Sequence, residues 1–345
     1  MTTPRPATVV GLDVGGTSIN ATVLDADGRF LVERLYETPS RVLDGPPAAV
    51  EALAGAFAGV LAMTGTDQAS VRAVGLDTPG PASADGVISS RGSTNFNQPE
   101  WRGYDVRGAL QDRLRLPVVY TNDANAAALY AHHVHFGADA AARSSVSAIV
   151  GTGLGGGVVE AGRVVQGAAG MAGELGHVQI PLRGLIAEDQ PLPACNCGFV
   201  GDAESVASLT GIERNLLPYW LPRYPDHELN RAGSMRAAAM LVRKYAEAGD
   251  ELALQVFEQQ AGAIGRLFTI IANVTDPDAY FLGGGVVETE PHFREWFLGR
   301  VRQHILLRAE QEQVATLSLV PDRDMAGARG AALAALDAVE HAGGA

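Results

Sequence analysis

Residues 7–24 read as strand, glycine turn, strand: ATVVGLD, then VGGT, then the alternating SINATVL. Half a chain later, residues 147–159 repeat that plan as SAIVGTGLGGGVV. A chain that carries one strand–bend–strand unit twice is expected to form two related lobes, each a sheet flanked by helices, facing a cleft. The small residues at each bend, Gly15-Gly16-Thr17 and Gly151-Thr152-Gly153, let backbone amides approach an anion closely, and the Thr17 hydroxyl adds a donor. A third glycine run, Gly283-Gly284-Gly285, ends the strand-like DAYFLGGGV. Two such bends suit a triphosphate; a simple tight turn is the plainer explanation of either one alone. Gly151, Gly153 and Gly156 also spell G-x-G-x-x-G, but GVVEAGRVVQ continues as strand, turn, strand, where a dinucleotide site needs a helix.

The length of 345 residues agrees with two lobes. Between the two bends the pattern predicts a helix over 47–64, a buried strand over 71–76, a helix over 106–116 and a strand over 118–121. Helices are expected at 124–134, 204–221, 234–248 and 252–274, and DRDMAGARGAALAAL reads as a glycine-broken, alanine-rich helix start. No apolar run reaches the roughly 18 residues that cross a bilayer, and MTTPRPATVV lacks the features of a leader, so a soluble, cytoplasmic protein is expected. The net charge is −13 and the 26 basic residues form no cluster, which argues against nucleic acid or an acidic membrane as partner. Only Lys244 among those 26 is lysine, so a lysine-dependent P-loop is excluded and phosphate must meet amides, arginine or a metal.

Several polar residues stand where chemistry can use them. Asp13 closes the first strand just before the glycines, where it either caps the turn or holds, through water, the Mg2+ that accompanies nucleotide phosphates. Asp123 follows VVYTN and opens a helix, as the helix cap or as an acceptor for the proton of an attacking hydroxyl. Glu174 and His177, three apart in GMAGELGH, would face one ligand if that turn is helical. Cys195 and Cys197 are too close for an ordinary disulfide; they are either small buried residues or, with His177 and Asp202, a tetrahedral Zn2+ site. His132, His133 and His135 show no metal-ligand spacing and are assigned to a helix surface or lobe interface.

Taken in order, these segments resemble the ROK group of repressors, open reading frames and sugar kinases over almost the whole chain. LDVGGTSI resembles its first phosphate motif, GLDTPGPAS its PGP segment, TNFN with the following Trp101 the loop before the sugar, and NDANAAAL its catalytic signature. GTGLGGG, AGELGH, CNCGFVGDAES, DPDAYFLGGGV and GARGAA follow in family order. The resemblance implies an α/β actin-like ATPase (ribonuclease H-like) fold: two lobes of mixed sheet, 1–122 joined by a terminal helix at 327–345, and 123–326. It implies an ATP-dependent kinase for a hexose, glucokinase-like, with Asp123 as base on the 6-hydroxyl. Asn122, Glu174, His177 and Glu204 would bind the other hydroxyls, with Asn95 in a loop lining that pocket, and the assembly would be a homodimer or homotetramer.

Other sugars and cyclitols, among them fructose, mannose, N-acylhexosamines and carbasugars, present similar hydroxyls. A sugar-responsive repressor would carry a helix-turn-helix ahead of Ala7, where six residues stand, so the kinase is expected. Three departures from the family pattern matter. Ser18 replaces a lysine that many of its kinases carry, Asp202 replaces the third zinc cysteine, and Asp77 occupies a position that is often small.

Overall fold

The computed structural model describes residues 7–79, 85–88, 96 and 98–342. Their contacts cluster into two compact units. The described residues of Met1–Arg143, Gly157–Gly173 and Pro321–Ala345 make the first, and Ser144–Gly156 with Glu174–Val320 make the second.

The first unit is built on β1 (Thr8–Val14), β2 (Ser18–Leu24), β3 (Tyr36–Pro39), β4 (Val71–Thr78) and β5 (Val118–Asn122), in the order β3-β2-β1-β4-β5. β1 pairs antiparallel with β2 and parallel with β4, and β4 pairs parallel with β5. Side chains alternate across a strand. Val10, Leu12, Val74 and Leu76 therefore share a core with Leu53, Phe57 and Val60 of helix α1 (Pro46–Thr64) and Leu110 of α2 (Val106–Leu114). By length and mean hydropathy alone the 19-residue α1 could cross a membrane, but Glu51 interrupts its apolar run and in this fold much of it is buried in that core.

The opposite face carries small residues instead, and there the helix Arg323–Ala342 lies almost on the sheet. A Cβ on Gly11 would stand 1.9 Å from the Ala328 carbonyl oxygen, and one on Gly75 would stand 1.8 Å from that of Ala331. On its other side, a Cβ on Gly330 would stand 1.9 Å from the Ala126 oxygen of α3 (Asp123–Phe136). Glycines in this helix therefore serve close approach, and the helix runs through Gly327 and Gly330 without the break that the sequence pattern suggested. Because α3 packs on this helix and on β5, the first unit extends past residue 122, where the sequence reading had placed a boundary.

The second sheet comprises β6 (Ser145–Val150), β7 (Leu154–Glu160), β8 (Arg163–Val164), β9 (Ala279–Gly283) and β10 (Thr316–Leu319), in the order β10-β9-β6-β7-β8. It repeats the plan of the first: β6 pairs parallel with β9, β9 parallel with β10, and β7 antiparallel with β8. The duplication inferred from the two glycine bends is thus present in sheet topology, and the division between the units falls within β7.

The helix expected over 204–221 is broken. Helix α4 (Ala203–Ala207) stops at Ser208, whose extended backbone and hydroxyl, accepting from Gly211 N at 2.9 Å, cap a new turn. A π-helical stretch, Ile212–Leu216, follows and leads into Leu217–Trp220 with Pro218 in its first turn.

A methyl group at position 75 would have to displace backbone, not a flexible side chain. Gly75→Ala is expected to lower the unfolding free energy by about 1–3 kcal/mol in urea titrations, and an unchanged midpoint would contradict this packing.

Candidate active site

Three carboxylates gather at the carboxyl ends of adjacent parallel strands in the first unit. Asp13 and Asp77 are register partners on β1 and β4, and Asp77 in turn pairs with Thr121 on β5, two residues before Asp123. Asn122, not Asp123, caps α3: its Oδ1 accepts from Asn125 N at 2.8 Å. Asp123 therefore occupies the first helical position with an exposed side chain, its Oδ1 accepting from Ala124 N at 2.8 Å.

Burial lifts the Asp13 carboxyl to about 6; the hydrogen bond from Asn20 Nδ2, at 3.3 Å, opposes the rise, and the charge of Asp123 adds to it. Burial likewise raises Asp77 well above the usual carboxylate range, with Asp13 and Asp123 pushing the same way. Asp77 is fully buried, and neither of its oxygens has a hydrogen-bond partner among the described residues. Beside it, the Tyr120 hydroxyl and Thr78 Oγ1 lie 2.9 Å apart, and burial, reinforced by the charges of Asp77 and Asp123, raises the phenol. In the first glycine bend, Gly15 N donates to Ser18 O at 2.8 Å, so Gly16 and Thr17 form the tip of a tight turn. Asn95 lies outside the described residues.

The second unit holds the other expected groups. Its bend closes with Gly151 N donating to Gly153 O at 2.9 Å. It is held from outside by Leu209 N on Gly151 O, at 2.9 Å, and by Thr210 Oγ1 on Thr152 O, at 2.8 Å. Glu204, the second residue of α4, sends Oε2 to Leu154 N at 2.8 Å, and Cys195 Sγ donates to its Oε1 at 3.3 Å. One amide beside this bend is thus already paired within the protein. Gly284 has φ 88° at the end of β9, and a Cβ there would meet the Val150 oxygen at 2.3 Å.

The donor atoms of His177, Cys195, Cys197 and Asp202 all lie within 4.8 Å of one another. His177 Nδ1 is 3.1 Å from Asp202 Oδ2, and Cys197 Sγ is 3.6 Å from the same oxygen. Asp202 Oδ1 meanwhile accepts from Ser205 N at 2.9 Å, which caps α4 and fixes the carboxylate. Burial pushes the Cys195 thiol up, and hydrogen bonding with Asp202 adds to the rise. One imidazole nitrogen, two sulfurs and a carboxylate oxygen are the donors zinc takes in tetrahedral sites, whose ligand atoms sit about 3.3–3.8 Å apart for bonds of about 2.0–2.3 Å. The group fits zinc after a small contraction. Glu174 and His177 bracket a 3-10 turn, Leu175–His177, so their spacing does belong to one turn.

Two residues escaped the sequence reading. Asp77 was noted only as a departure, though its place opposite Asp13 follows from the paired strands ending LD and GLD. His132 proves fully buried, with Nε2 2.9 Å from Ala140 O, which corrects the expectation of a helix surface for it.

A family model described as ROK family matches residues 9–338. The glucokinase of Halalkalibacterium halodurans is 32% identical over 305 residues, 85% of this chain and 87% of its own. The N-acetyl-D-glucosamine kinase of Vibrio vulnificus is 29% identical over 93% of this chain and 97% of its own. Among solved structures, the ROK hexokinase of Thermus thermophilus superimposes with TM-score 0.75 at 31% identity, covering 97% of this chain and 99% of that one. The ROK glucokinase of Streptomyces griseus, in complex with glucose and AMPPNP, gives 0.65 at 28% identity, covering 96% and 100%.

The raised Asp13 carboxyl has a consequence in the metal-free protein. A carboxyl with a folded pKa near 6 and an unfolded value of 3.8 favours the folded state fully below 3.8, and this contribution is lost as pH rises through about 6. The groups facing it are Asn20 on β2, Asp77 on β4 and Asp123 at the start of α3. Asp13→Asn should therefore gain about 2 kcal/mol relative to the parent between those pH values, by urea unfolding at a pH series. Parallel stability curves would contradict the shift.

Proposed function

The chain belongs to the ROK family and, like the named kinases it is similar to, is an ATP-dependent sugar kinase; we propose that it phosphorylates a hexose, glucose first, with Asp123 as general base. The observation that carries this reading is the position of Asp123. It stands at the end of a parallel strand beside two further carboxylates, and Asn122 has taken over the helix cap. An exposed carboxylate held by the backbone of a helix start can accept the proton of the sugar hydroxyl while that oxygen attacks the terminal phosphate in line. The hydroxyl O–H bond breaks toward Asp123, an O–P bond forms, and the bond to the departing diphosphate breaks.

Recognition of the remaining hydroxyls falls to Asn122, Glu174, His177 and Glu204 in this reading. His177 offers Nδ1 to the Cys195, Cys197, Asp202 group and leaves Nε2 for the sugar, so a zinc ion held there would orient a substrate contact. Asp202 in place of a cysteine keeps a four-donor set. The glycine bends at 15–17 and 151–153, with Gly283, Gly284 and Gly285, supply backbone for the nucleotide. When bound with ATP, Mg2+ neutralises phosphate charge, and the carboxylates of the Asp13 and Asp77 pair are hard oxygen donors that fit it. An N-acetylhexosamine is the second substrate reading, favoured by the identity to the Vibrio vulnificus kinase.

An ATP-coupled assay across glucose, mannose, fructose, N-acetylglucosamine, N-acetylmannosamine and a carbasugar cyclitol tests the proposal. Glucose is expected to give the highest kcat/KM. A higher value for another member would replace glucose as the substrate, and no turnover with any of them would overturn the kinase reading.

A further inference from the structure

Position 77 joins two facts that are costly in a protein interior. Asp77 is fully buried, and both its oxygens lack a partner among the described residues. A single buried acceptor left unmet costs about 1–3 kcal/mol, and more when it is charged. Its register partner is a second carboxylate, Asp13, projecting from the same face of the sheet. Two adjacent carboxylates in such a place repel unless a proton or a cation stands between them.

We propose that Asp77 and Asp13 together form an oxygen-lined divalent-cation site that fills in the absence of nucleotide. This deepens the kinase reading and rests on it in one respect, since the cation would be the one that later accompanies the phosphates.

Gly327 marks where the two side chains converge. A Cβ there would lie 2.7 Å from Asp77 Oδ2 and 2.9 Å from Asp13 Oδ2, so the two oxygens converge beside the helix backbone and any larger residue would collide with the pair. Here the glycine is on the helix, whereas at Gly11 and Gly75 the strands carry it against helix alanines. On its open side Asp13 lines a cavity of about 510 Å3, together with Ser18, Asn20, Arg34, Glu37 and Asp324. Three carboxylates against one guanidinium make this approach attractive to a cation. Its size admits an ion that keeps several waters, as Mg2+ does when one or two carboxylates hold it. The donors are all oxygen, which selects Mg2+ or Mn2+ over the nitrogen and sulfur chemistry of the His177 group.

The test uses Mn2+ alone, titrated into the full chain without sugar or nucleotide, after Zn2+ has been added to occupy the His177 group. Binding is read by calorimetry and by the Mn2+ electron paramagnetic resonance signal. One Mn2+ per chain is expected, with affinity at least tenfold lower in Asp77→Asn, which keeps the side-chain shape. The Tm of the parent should rise with Mn2+ while that of Asp77→Asn stays constant, and this second reading also reports that the variant is folded. No Mn2+ uptake without nucleotide, as a shared proton would give, overturns the proposal, and so does equal affinity in the two proteins. Since no substrate is present, this outcome is separate from the sugar panel that decides the kinase reading.

Discussion

The approach of the terminal helix to the first sheet is the contact on which the rest depends. Helix and strands meet through backbone: Gly11 and Gly75 leave room for the carbonyls of Ala328 and Ala331, and Gly330 leaves room for that of Ala126. Side chains of ordinary size would hold the helix several ångströms away. The tight seam has a chemical result, because the same strand faces that carry Gly11 and Gly75 end in Asp13 and Asp77. The helix closes over the second of these and removes it from water, while β5 ends one residue short of Asp123. A packing solution made of small residues thus produces a row of three carboxylates in graded environments, from fully buried to exposed.

The second unit uses an equivalent sheet for a different task. Where β1 and β4 end one residue past Asp13 and Asp77, β6 ends beside Gly151 and β9 ends in Gly283. Carboxylates suit proton and cation handling, whereas glycine backbone suits anions. Glu204 ties the bend to the metal-type cluster, one oxygen on the Leu154 amide and the other on the Cys195 thiol. Loss of that thiol proton to a metal would change what Glu204 accepts, so the two features are physically adjacent parts of one framework.

Much of this was legible in the sequence because it depends on local spacing. The two glycine bends, strand endings at Asp13 and Asp123, and the His177, Cys195, Cys197, Asp202 set are each written within a short stretch or joined by a recognisable order of motifs. The duplicated sheet followed from the repeated bend, although β10 (TLSL) is too short and too little buried to stand out. What stayed hidden is long-range. Gly327 and Gly330 read as helix breakers because their partners, β1, β4 and α3, lie about 200 residues or more away in the chain. The 204–221 helix read as continuous because apolar spacing survives the cap at Ser208. The cap at Asn122 was decisive for Asp123 and could not be assigned from the pair Asn-Asp, since either side chain is a good cap.

The central claim is that Asp123 takes the proton from the sugar hydroxyl. Asp123→Asn keeps the size and the helix position of the side chain while removing its basicity. Measured beside the parent by single-turnover phosphoryl transfer and by calorimetric titration of the preferred sugar, it should lose about 10²–10⁴-fold in rate and keep its sugar affinity. Transfer at close to the parental rate would contradict the account.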